Sequence, residues 1–265
     1  MNIEQNSEHT IDFCMLDYQC SYLPDRKTRM FYRYMRHASK DLVSELIRRG
    51  WRRFGCYFFH PICAGCTGCK SLRIDAQRFT LSKSQKRVMK KNRQTMLYIR
   101  KPGMTQEHLD LYNRFHKYKS ETSDWKYTPV NPHLYYENFV DGAHDFGKEV
   151  LYFIDDKLVG VDLIDMTTDG ISSIYFFYDP DYAKYSLGTY SLLMQIHFAK
   201  QMGLRWIYLG YWVHGCRSFA YKTAFKPLEV LDGFPPLTEE PEWVPFDEKK
   251  AQGNASCRIA ASSAG

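Results

Sequence analysis

The sequence predicts an α+β protein in which a cysteine-rich N-terminal part precedes a part built from a strand meander, a helix and a further strand. Three cysteines within residues 63–69 indicate the first part, and a Pro-Gly pair at 102–103 indicates a boundary after it. We therefore expect a cysteine-rich, metal-binding domain at 1–100, a second α+β domain at 101–233 and a flexible tail at 234–265.

The first half of the chain carries three helix signals and one strand signal. Residues 39–50 begin with a serine suited to cap a helix, contain an apolar stripe and end in glycine. A short strand is expected at 72–79. A helix with an apolar stripe follows over 105–119, and Asn131–Pro132 begins another, because proline is favoured at the first helical position after a cap.

The second half changes to the period of β-strands. Apolar segments at 149–154, 158–164 and 171–180 are separated by short turns, which predicts an antiparallel meander. The segment 186–203 then predicts a helix ending at a glycine, and 204–212 predicts a buried strand.

Composition limits the classes of protein that this chain represents. No apolar run approaches the roughly 18 residues that a membrane helix needs, and the N-terminal MNIEQNSEHT has acidic residues and no apolar stretch. We expect a cytoplasmic protein with no membrane partner, whose 8 cysteines are reduced thiols or metal ligands. The net charge of +6 matters only where it is concentrated.

The spacing of Cys63, Cys66 and Cys69 is that of a metal-binding loop, because short Cys-x-x-Cys spacings present two thiolates from one turn of backbone. The metal is zinc or an iron–sulfur cluster, and spacing does not distinguish them. A fourth ligand must come from elsewhere in the chain, the alternative being unligated thiols. The candidates for it are Cys14, Cys20, Cys56 and His60.

A second concentrated feature is the basic segment SKSQKRVMKKNR, which lies in a stretch without acidic residues from 76 to 106. Separations of three and four residues place most of its cations on one helical face. This pattern favours a helix that binds the backbone phosphates of a nucleic acid, although an exposed, solvated face is the simpler alternative. The cations are Lys83, Lys86, Arg87, Lys90, Lys91 and Arg93.

Seven motifs, taken in order, resemble those of one family, the aminoacyl-tRNA–protein transferases of the N-degron pathway. The resemblance covers roughly residues 13 to 231 and is closer to the bacterial branch than to the eukaryotic arginine-transferring enzymes. The motifs are CSYLPDR at 20–26, PICAGCTGCKSLRI at 61–74, SKSQKR at 82–87, YFFYDP at 175–180, SLGTY at 186–190, YLGYW at 208–212 and GCRSFAYKTAFKPLE at 215–229.

The resemblance implies transfer of leucine from leucyl-tRNA to proteins with N-terminal Asp or Glu, which marks them for degradation. It also implies an acetyltransferase-like (GNAT-like) fold for the C-terminal half, and it selects Cys20 as the distant partner of the three clustered cysteines. The donor is an activated ester, so the reaction requires no ATP and no covalent nucleophile. No coenzyme A is expected, because SLGTY offers only one glycine for a pyrophosphate.

Such a transfer needs groups that position an amine against an ester and stabilise the oxyanion. Asp179 is a candidate base or amine anchor, with a turn residue before proline as the alternative. Tyr175 is a candidate for stacking on the terminal adenosine or for donating to the oxyanion, as are three other tyrosines, unless they are core residues. Lys222 is a candidate oxyanion or phosphate contact, with a surface lysine as the alternative. The other tyrosines are Tyr178, Tyr208 and Tyr211.

The acidic side chain of the acceptor requires a cation, and Arg73 and Arg217 are our candidates for it. Two other functions compete with the transferase. The strand order of the second half also suits a coenzyme A-dependent N-acetyltransferase, and the cysteines with the basic segment also suit a non-catalytic, metal-bearing RNA-binding module.

Overall fold

The computed structural model describes residues 10–123 and 126–252, which form three β-sheets with helices packed on them. The strands are β1 Thr10–Cys14, β2 Tyr18–Gln19, β3 Lys27–Thr28, β4 Met30–Met35, β5 Arg52–Phe54, β6 Tyr57–Pro61, β7 Lys70–Asp75, β8 Met96–Arg100, β9 Gly147–Ile154, β10 Lys157–Met166, β11 Gly170–Tyr178, β12 Trp206–Trp212, β13 Leu228–Leu231 and β14 Trp243–Pro245. The α-helices are α1 Lys40–Arg48, α2 Lys83–Lys91, α3 Gln106–Thr122, α4 Pro132–Tyr135, α5 Leu187–Gln201 and α6 Glu248–Ala251. A π-helical turn at Tyr136–Val140 and 3-10 helices at Pro180–Tyr185 and Arg217–Ala224 complete the helical segments.

A four-stranded antiparallel sheet, in the order β1-β4-β6-β5, forms the N-terminal layer, and β2 pairs with β3 beside it. The apolar side chains of helix α1 pack against the four-stranded sheet. The Ser39 hydroxyl accepts a hydrogen bond from the backbone N–H of Leu42 at 3.2 Å, which caps the helix. Gly50 follows the last turn with a φ of +83°, a conformation that glycine adopts without strain. The predicted helix at 39–50 is confirmed.

The large sheet has eight strands in the order β14-β13-β7-β12-β11-β10-β9-β8. Strands β9, β10 and β11 form the predicted antiparallel meander. Strand β12 pairs with β11 in parallel. The chain must therefore return from the end of β11 to the opposite end of the sheet before β12 begins, and α5 makes this crossover. Helix α5 is buried against one face of the sheet, and α3 packs on the other.

The boundaries that we expected at residues 101 and 234 do not coincide with a boundary between sheets. Strand β7 lies between β13 and β12, so a strand from the first hundred residues is central in the large sheet. Strand β14, from the expected tail, pairs with β13 and forms one edge of the sheet. A short apolar strand signal does not reveal which sheet the strand joins, and this explains the difference.

The expected tail is therefore ordered at least as far as α6. Its remainder, 253–265, lies outside the described residues, as do the first nine residues. Within the described part of the chain, no helix is both long enough and apolar enough to span a membrane.

Candidate functional site

A wedge-shaped opening lies where the parallel strands β11 and β12 separate. The two strands pair only from Gly170 to Ser172, opposite Trp206 to Tyr208, and then diverge. A bulge between Tyr208 and Gly210 in the pairing of β12 with β7 contributes to the divergence. Backbone groups on the diverging ends must find partners other than each other. We call this opening the wedge.

Arg52, at the start of β5, inserts from the N-terminal sheet into the wedge. Its Nη2 donates to the carbonyl oxygens of Ser173 and Ile174, at 2.5 and 3.2 Å, and so pairs backbone groups of β11. A Cβ at Gly210 would come within 2.6 Å of the guanidinium, so glycine is required at this position for Arg52 to fit. Burial lowers the pKa of Arg52 from its ordinary value. No local pattern in the sequence distinguishes this arginine from the others.

Lys222 fills the other side of the wedge from the 3-10 helix Arg217–Ala224. Its Nζ donates to the carbonyl oxygens of Leu209, at 2.8 Å, and of Tyr211. Only 6% of the residue is exposed, so the alternative of a surface lysine is wrong. Burial, and then the nearby Arg52 cation, hold the pKa of Lys222 well below its ordinary value of 10.5.

Tyrosine side chains surround these two cations. Burial raises the pKa of Tyr22 and of Tyr221 to about 12, and the Arg52 cation opposes the shift in both. Tyr221 is 49% exposed, and its pKa responds to both Arg52 and Asp162, so this ring lies at the edge of the wedge. The Tyr211 hydroxyl donates to the carbonyl oxygen of Phe59 at 3.3 Å, which joins β12 to the N-terminal sheet. The wedge is therefore lined by cations and phenols.

Asp162, on β10, lies next to the wedge and was not among our predicted site residues. Gln195 Nε2, from α5, donates to Asp162 Oδ2 at 2.9 Å and lies 3.3 Å from Ser173 Oγ. Burial raises the pKa of Asp162 to about 7, from an ordinary value of 3.8. A signal was present in the sequence, because an acid in the middle of the apolar segment LVGVDLI must be buried.

Asp179 occupies the end of β11 as a cap and an ion-pair partner. Its Oδ1 accepts from the backbone N–H of Asp181 at 3.2 Å, in the turn that we gave as its alternative role. Its Oδ2 lies 2.9 Å from the Lys157 ammonium and 3.2 Å from the Arg114 guanidinium. A substrate amine would have to compete with two internal cations for this carboxylate. The geometry thus favours the structural role, and a catalytic one stays a prediction.

Tyr175 lies on the face of the sheet that α3 covers. Its hydroxyl is 2.8 Å from His116 Nε2, and its ring stacks on Phe139 at 5.7 Å between centroids. Burial lowers the pKa of His116 to about 4, so the imidazole is neutral at neutral pH. The structure therefore places Tyr175 in an aromatic cluster rather than beside Lys222, and its expected contact with substrate stays a prediction.

The two arginines predicted to bind the acceptor have different surroundings. Arg73 lies between the rings of Trp206 and Trp243, 3.5 and 4.3 Å from their centroids, and pairs with Glu229 at 2.7 Å. The carboxylate of an acceptor would have to compete with Glu229 for Arg73, so the acceptor role of Arg73 stays a prediction. Arg217 is exposed at the start of the 3-10 helix that carries Lys222, a position that suits the assignment.

Three of the four cysteines expected to bind metal pack near the same two apolar residues, and the metal site itself stays a prediction. Cys20, Cys66 and Cys69 pack around Leu23 and Val213. A further thiol, that of Cys216, packs in the same cluster. Sequence reasoning missed it because it lies about 150 residues away along the chain.

The electrostatics of the cluster also indicate that its thiols are close together. Burial, and then the neighbouring thiols of Cys20, Cys63 and Cys66, raise the pKa of the Cys69 thiol to about 12. Within 10–123 and 126–252, no three metal-binding side chains are arranged as a coordination site. Cys56 lies elsewhere, 3.6 Å from Asp141. His60 is also elsewhere, packed against Trp51. The donor set is chemically suited to zinc or to an iron–sulfur cluster.

The basic segment forms the helix α2. Ser82 and Gln85 cap it reciprocally, which fixes its first turn. Gln85 Nε2 also donates to the carbonyl oxygen of Ala224 at 3.4 Å, so the start of α2 contacts the end of the 3-10 helix that carries Lys222. All six predicted cations are exposed, and none forms an ion pair with a carboxylate in the described part of the chain. They are Lys83, Lys86, Arg87, Lys90, Lys91 and Arg93.

The structure thus places a buried wedge of cations next to an exposed basic helix. Comparison with known proteins identifies the family. Residues 18–87 match the family model described as the N terminus of arginine-tRNA-protein transferase, and residues 107–232 match the model for its C terminus. The chain belongs to the arginine-tRNA-protein transferase family.

Relatives within the family carry a more specific name. The aspartate/glutamate leucyltransferase of Campylobacter jejuni (strain 81-176) is 48% identical over 229 residues, which cover 86% of this chain and 96% of that protein. The aspartate/glutamate leucyltransferase of Helicobacter hepaticus is 44% identical over 84% of this chain and 93% of that protein. That of Hahella chejuensis is 37% identical over 81% of this chain and 91% of that protein.

Solved structures resemble the chain less closely. A structure described as that of L-PGS from Bacillus licheniformis superposes with a TM-score of 0.41 and 12% identity, and the match covers 54% of this chain and 45% of that one. A similarity of this degree carries no functional argument.

Proposed function

We propose that this protein transfers leucine from leucyl-tRNA to the N-terminal amine of proteins that begin with Asp or Glu. The observation that carries the proposal is the 48% identity to an aspartate/glutamate leucyltransferase over 96% of its length. The family models cover residues 18–87 and 107–232, which include the cysteine cluster, the start of the basic helix and strands β11 and β12 of the wedge. The reaction belongs to the N-degron pathway, and its place is the cytoplasm, where charged tRNA is available.

The reaction forms a peptide bond and breaks an ester bond. The acceptor amine attacks the leucyl carbonyl carbon, the amine loses a proton, and the ribose oxygen of the terminal adenosine leaves with a proton. Catalysis therefore requires donors directed at the carbonyl oxygen, on which negative charge develops. Lys222 Nζ donates to two backbone carbonyls, and in its ammonium form it has a third hydrogen for that oxygen. The Tyr221 hydroxyl is a second donor at the edge of the wedge.

The fold that we propose for the large sheet is acetyltransferase-like. In its favour, three antiparallel strands lead through a helix into a parallel strand that diverges from its neighbour. Such a divergence gives a thin acyl chain access to the interior of a sheet. In this arrangement the leucyl ester enters the wedge, and the Arg52 guanidinium lines its inner wall.

In this proposal, α2 binds the body of the tRNA. Its exposed cations neutralise backbone phosphates and release counterions, which makes the binding dependent on salt. The contact between Gln85 and Ala224 puts α2 next to the 3-10 helix of Lys222. The proposed phosphate contacts and the proposed reaction centre are thus mechanically linked.

Zinc or an iron–sulfur cluster would be held by Cys20, Cys63, Cys66 and Cys69. When bound, such a metal supplies a covalent link between the loop at 63–69 and the distant Cys20. The chain's own groups prepare that site. The backbone N–H of Arg29 is 3.4 Å from Cys63 Sγ, as is the Thr28 hydroxyl, and donors of this kind stabilise a thiolate.

A donor competition tests the proposed function against its two rivals. The purified protein is given a peptide that begins with Asp, together with leucyl-tRNA, arginyl-tRNA or acetyl-coenzyme A, and the product is analysed by mass spectrometry. We expect a leucylated peptide from leucyl-tRNA only, because the wedge already holds the buried cations Arg52 and Lys222, which repel an arginyl guanidinium. An acetylated peptide would favour the acetyltransferase, and no product with retained tRNA binding would favour the RNA-binding module.

A further inference from the structure

Asp162 differs from every other buried carboxylate that the structure describes. Each of the other four forms an ion pair with an internal cation, as expected for a charge removed from water. Asp162 is fully buried and forms no ion pair within 10–123 and 126–252. The paired carboxylates are Asp75 with Arg205 at 3.2 Å, Glu149 with Arg100 at 2.6 Å, Asp165 with Arg53 at 2.7 Å and Asp179 with Lys157 at 2.9 Å.

Several polar atoms at and around Asp162 also lack a hydrogen-bond partner. In the described part of the chain, Asp162 Oδ1, Gln195 Oε1 and the Tyr152 hydroxyl lack a hydrogen bond of normal geometry. The Tyr152 hydroxyl nevertheless lies close enough to Asp162 to hydrogen-bond to that carboxyl, which lowers the pKa of Asp162 against the larger effect of burial. All three residues are at most 1% exposed. Buried polar atoms without partners are uncommon in folded proteins, and each requires an explanation.

The available oxygens match one chemical group. A primary ammonium carries a positive charge and three hydrogens, and a carboxylate, an amide oxygen and a phenol oxygen each accept one of them. We propose that Asp162, Gln195 and Tyr152 bind the α-ammonium group of a substrate. This proposal rests on the proposed function, in which both substrates, the leucyl ester and the protein N-terminus, carry an α-amine.

The position of Asp162 suits this role. Gln195 connects its carboxylate to Ser173, and the Ser173 carbonyl accepts from Arg52 in the wedge. The Tyr221 hydroxyl, at the edge of the wedge, is near enough for its pKa to respond to both Asp162 and Arg52. Asp162 therefore lies beside the wedge, which the proposed function assigns to the leucyl ester. Arg52 repels an ammonium, so only the side of the wedge nearer to Asp162 accepts one.

The experiment replaces the α-amine by a hydroxyl, first in the donor and then in the acceptor. The donor pair is leucyl-tRNA and tRNA charged with 2-hydroxy-4-methylpentanoate, compared by kcat/KM with an Asp-starting peptide. The acceptor pair is that peptide and its α-hydroxy analogue, compared by dissociation constant. Each pair is measured with the wild type, with Asp162→Asn and with Tyr152→Phe. The phenylalanine variant removes one oxygen and retains the ring, so it keeps the test valid if Asp162→Asn fails to fold.

We expect the wild type to prefer one amine over its hydroxyl analogue by roughly 100-fold, the cost of leaving a buried charge unpaired. Asp162→Asn should reduce that preference to a few-fold, and Tyr152→Phe should reduce it partially in the same direction. A change in the donor pair identifies the leucyl amine, and a change in the acceptor pair identifies the protein N-terminus.

Preferences that stay the same in both variants would overturn the proposal and leave Asp162 with an ordered water as its partner. This outcome differs from failure of the proposed function, in which the wild type would not transfer leucine at all.

Discussion

Among single residues, Asp162 makes the sharpest prediction about stability. Its pKa is about 7 in the folded protein and near 3.8 in the unfolded chain, so the folded state holds the proton more tightly. The contribution of Asp162 to stability is therefore greatest below pH 4 and is lost as the pH rises to 7. The loss amounts to roughly 4 kcal/mol, counting 1.36 kcal/mol for each pKa unit.

Asp162→Asn removes this titration, so the stability of the variant relative to the wild type should increase between pH 4 and pH 8. Urea denaturation at both pH values measures it. Asp165→Asn is the matched control, because it breaks the buried ion pair with Arg53 and should destabilise the protein at pH 8. If Asp162→Asn were equally destabilising at pH 8, the side chain would have an internal cationic partner and our account of it would be wrong.

A second prediction about a single residue concerns Lys222. Lys222→Met leaves the carbonyls of Leu209 and Tyr211 without their donor, which should lower the free energy of unfolding by about 1–3 kcal/mol. Leucine transfer should fall by at least roughly 100-fold, the usual effect of removing an oxyanion donor. Lys226→Met, in the same segment but exposed, serves as the control for both measurements. Full activity in a destabilised Lys222→Met would restrict this lysine to a structural role.

Among secondary-structure elements, the divergence of β11 and β12 depends on a glycine. Gly210 has a φ of +66°, and a Cβ there would lie 2.6 Å from the Arg52 guanidinium. Gly203 has a similar φ of +68°, but a Cβ there would meet nothing within 4 Å. A Gly→Ala substitution therefore strains the backbone at both positions, but the new Cβ collides with a neighbouring side chain only at Gly210.

We expect Gly203→Ala to cost about 1 kcal/mol with activity retained, and Gly210→Ala to displace Arg52 and abolish transfer. Thermal denaturation and the transfer rate of both variants check this. Equal effects of the two substitutions would show that the space around Arg52 is not essential to the wedge.

Helix α2 allows a test of tRNA binding that does not depend on catalysis. Reversal of Lys86, Arg87 and Lys90 to Glu should weaken the affinity for tRNA and reduce the slope of log K against log salt. Reversal of the exposed Lys249 and Lys250 in α6 is the control for a change in net charge. If both variants changed the affinity equally, the net charge and not α2 would attract the tRNA.

The sequence predicted those elements whose signals are local. Helix α1 has a cap and an apolar stripe, and the meander alternates with short turns, so both were identified. The position of β7 in the large sheet and the insertion of Arg52 into the wedge depend on contacts between distant parts of the chain. Asp162 belongs to the same class, because its lack of a cationic partner becomes visible only when all of its neighbours are known.

For the protein as a whole, the cysteine cluster connects distant parts of the chain. Cys63→Ser should lower the metal content of protein purified anaerobically, measured by elemental analysis, and should lower the temperature of unfolding, because loss of a ligand removes folding energy. Cys14→Ser, which changes an exposed thiol in β1, should change neither. Metal-free wild-type protein with normal stability would contradict the proposed site.

The central claim is transfer of leucine to acidic N-termini, and selectivity for the first residue of the acceptor tests it. Four peptides, identical except for Asp, Glu, Asn or Gln at the first position, are incubated with the wild type and labelled leucyl-tRNA. We predict labelling of the Asp and Glu peptides and little or none of the Asn and Gln peptides, because a cation such as Arg217 pairs with a carboxylate but not with a neutral amide. Equal labelling of all four peptides, or of none, would contradict the claim.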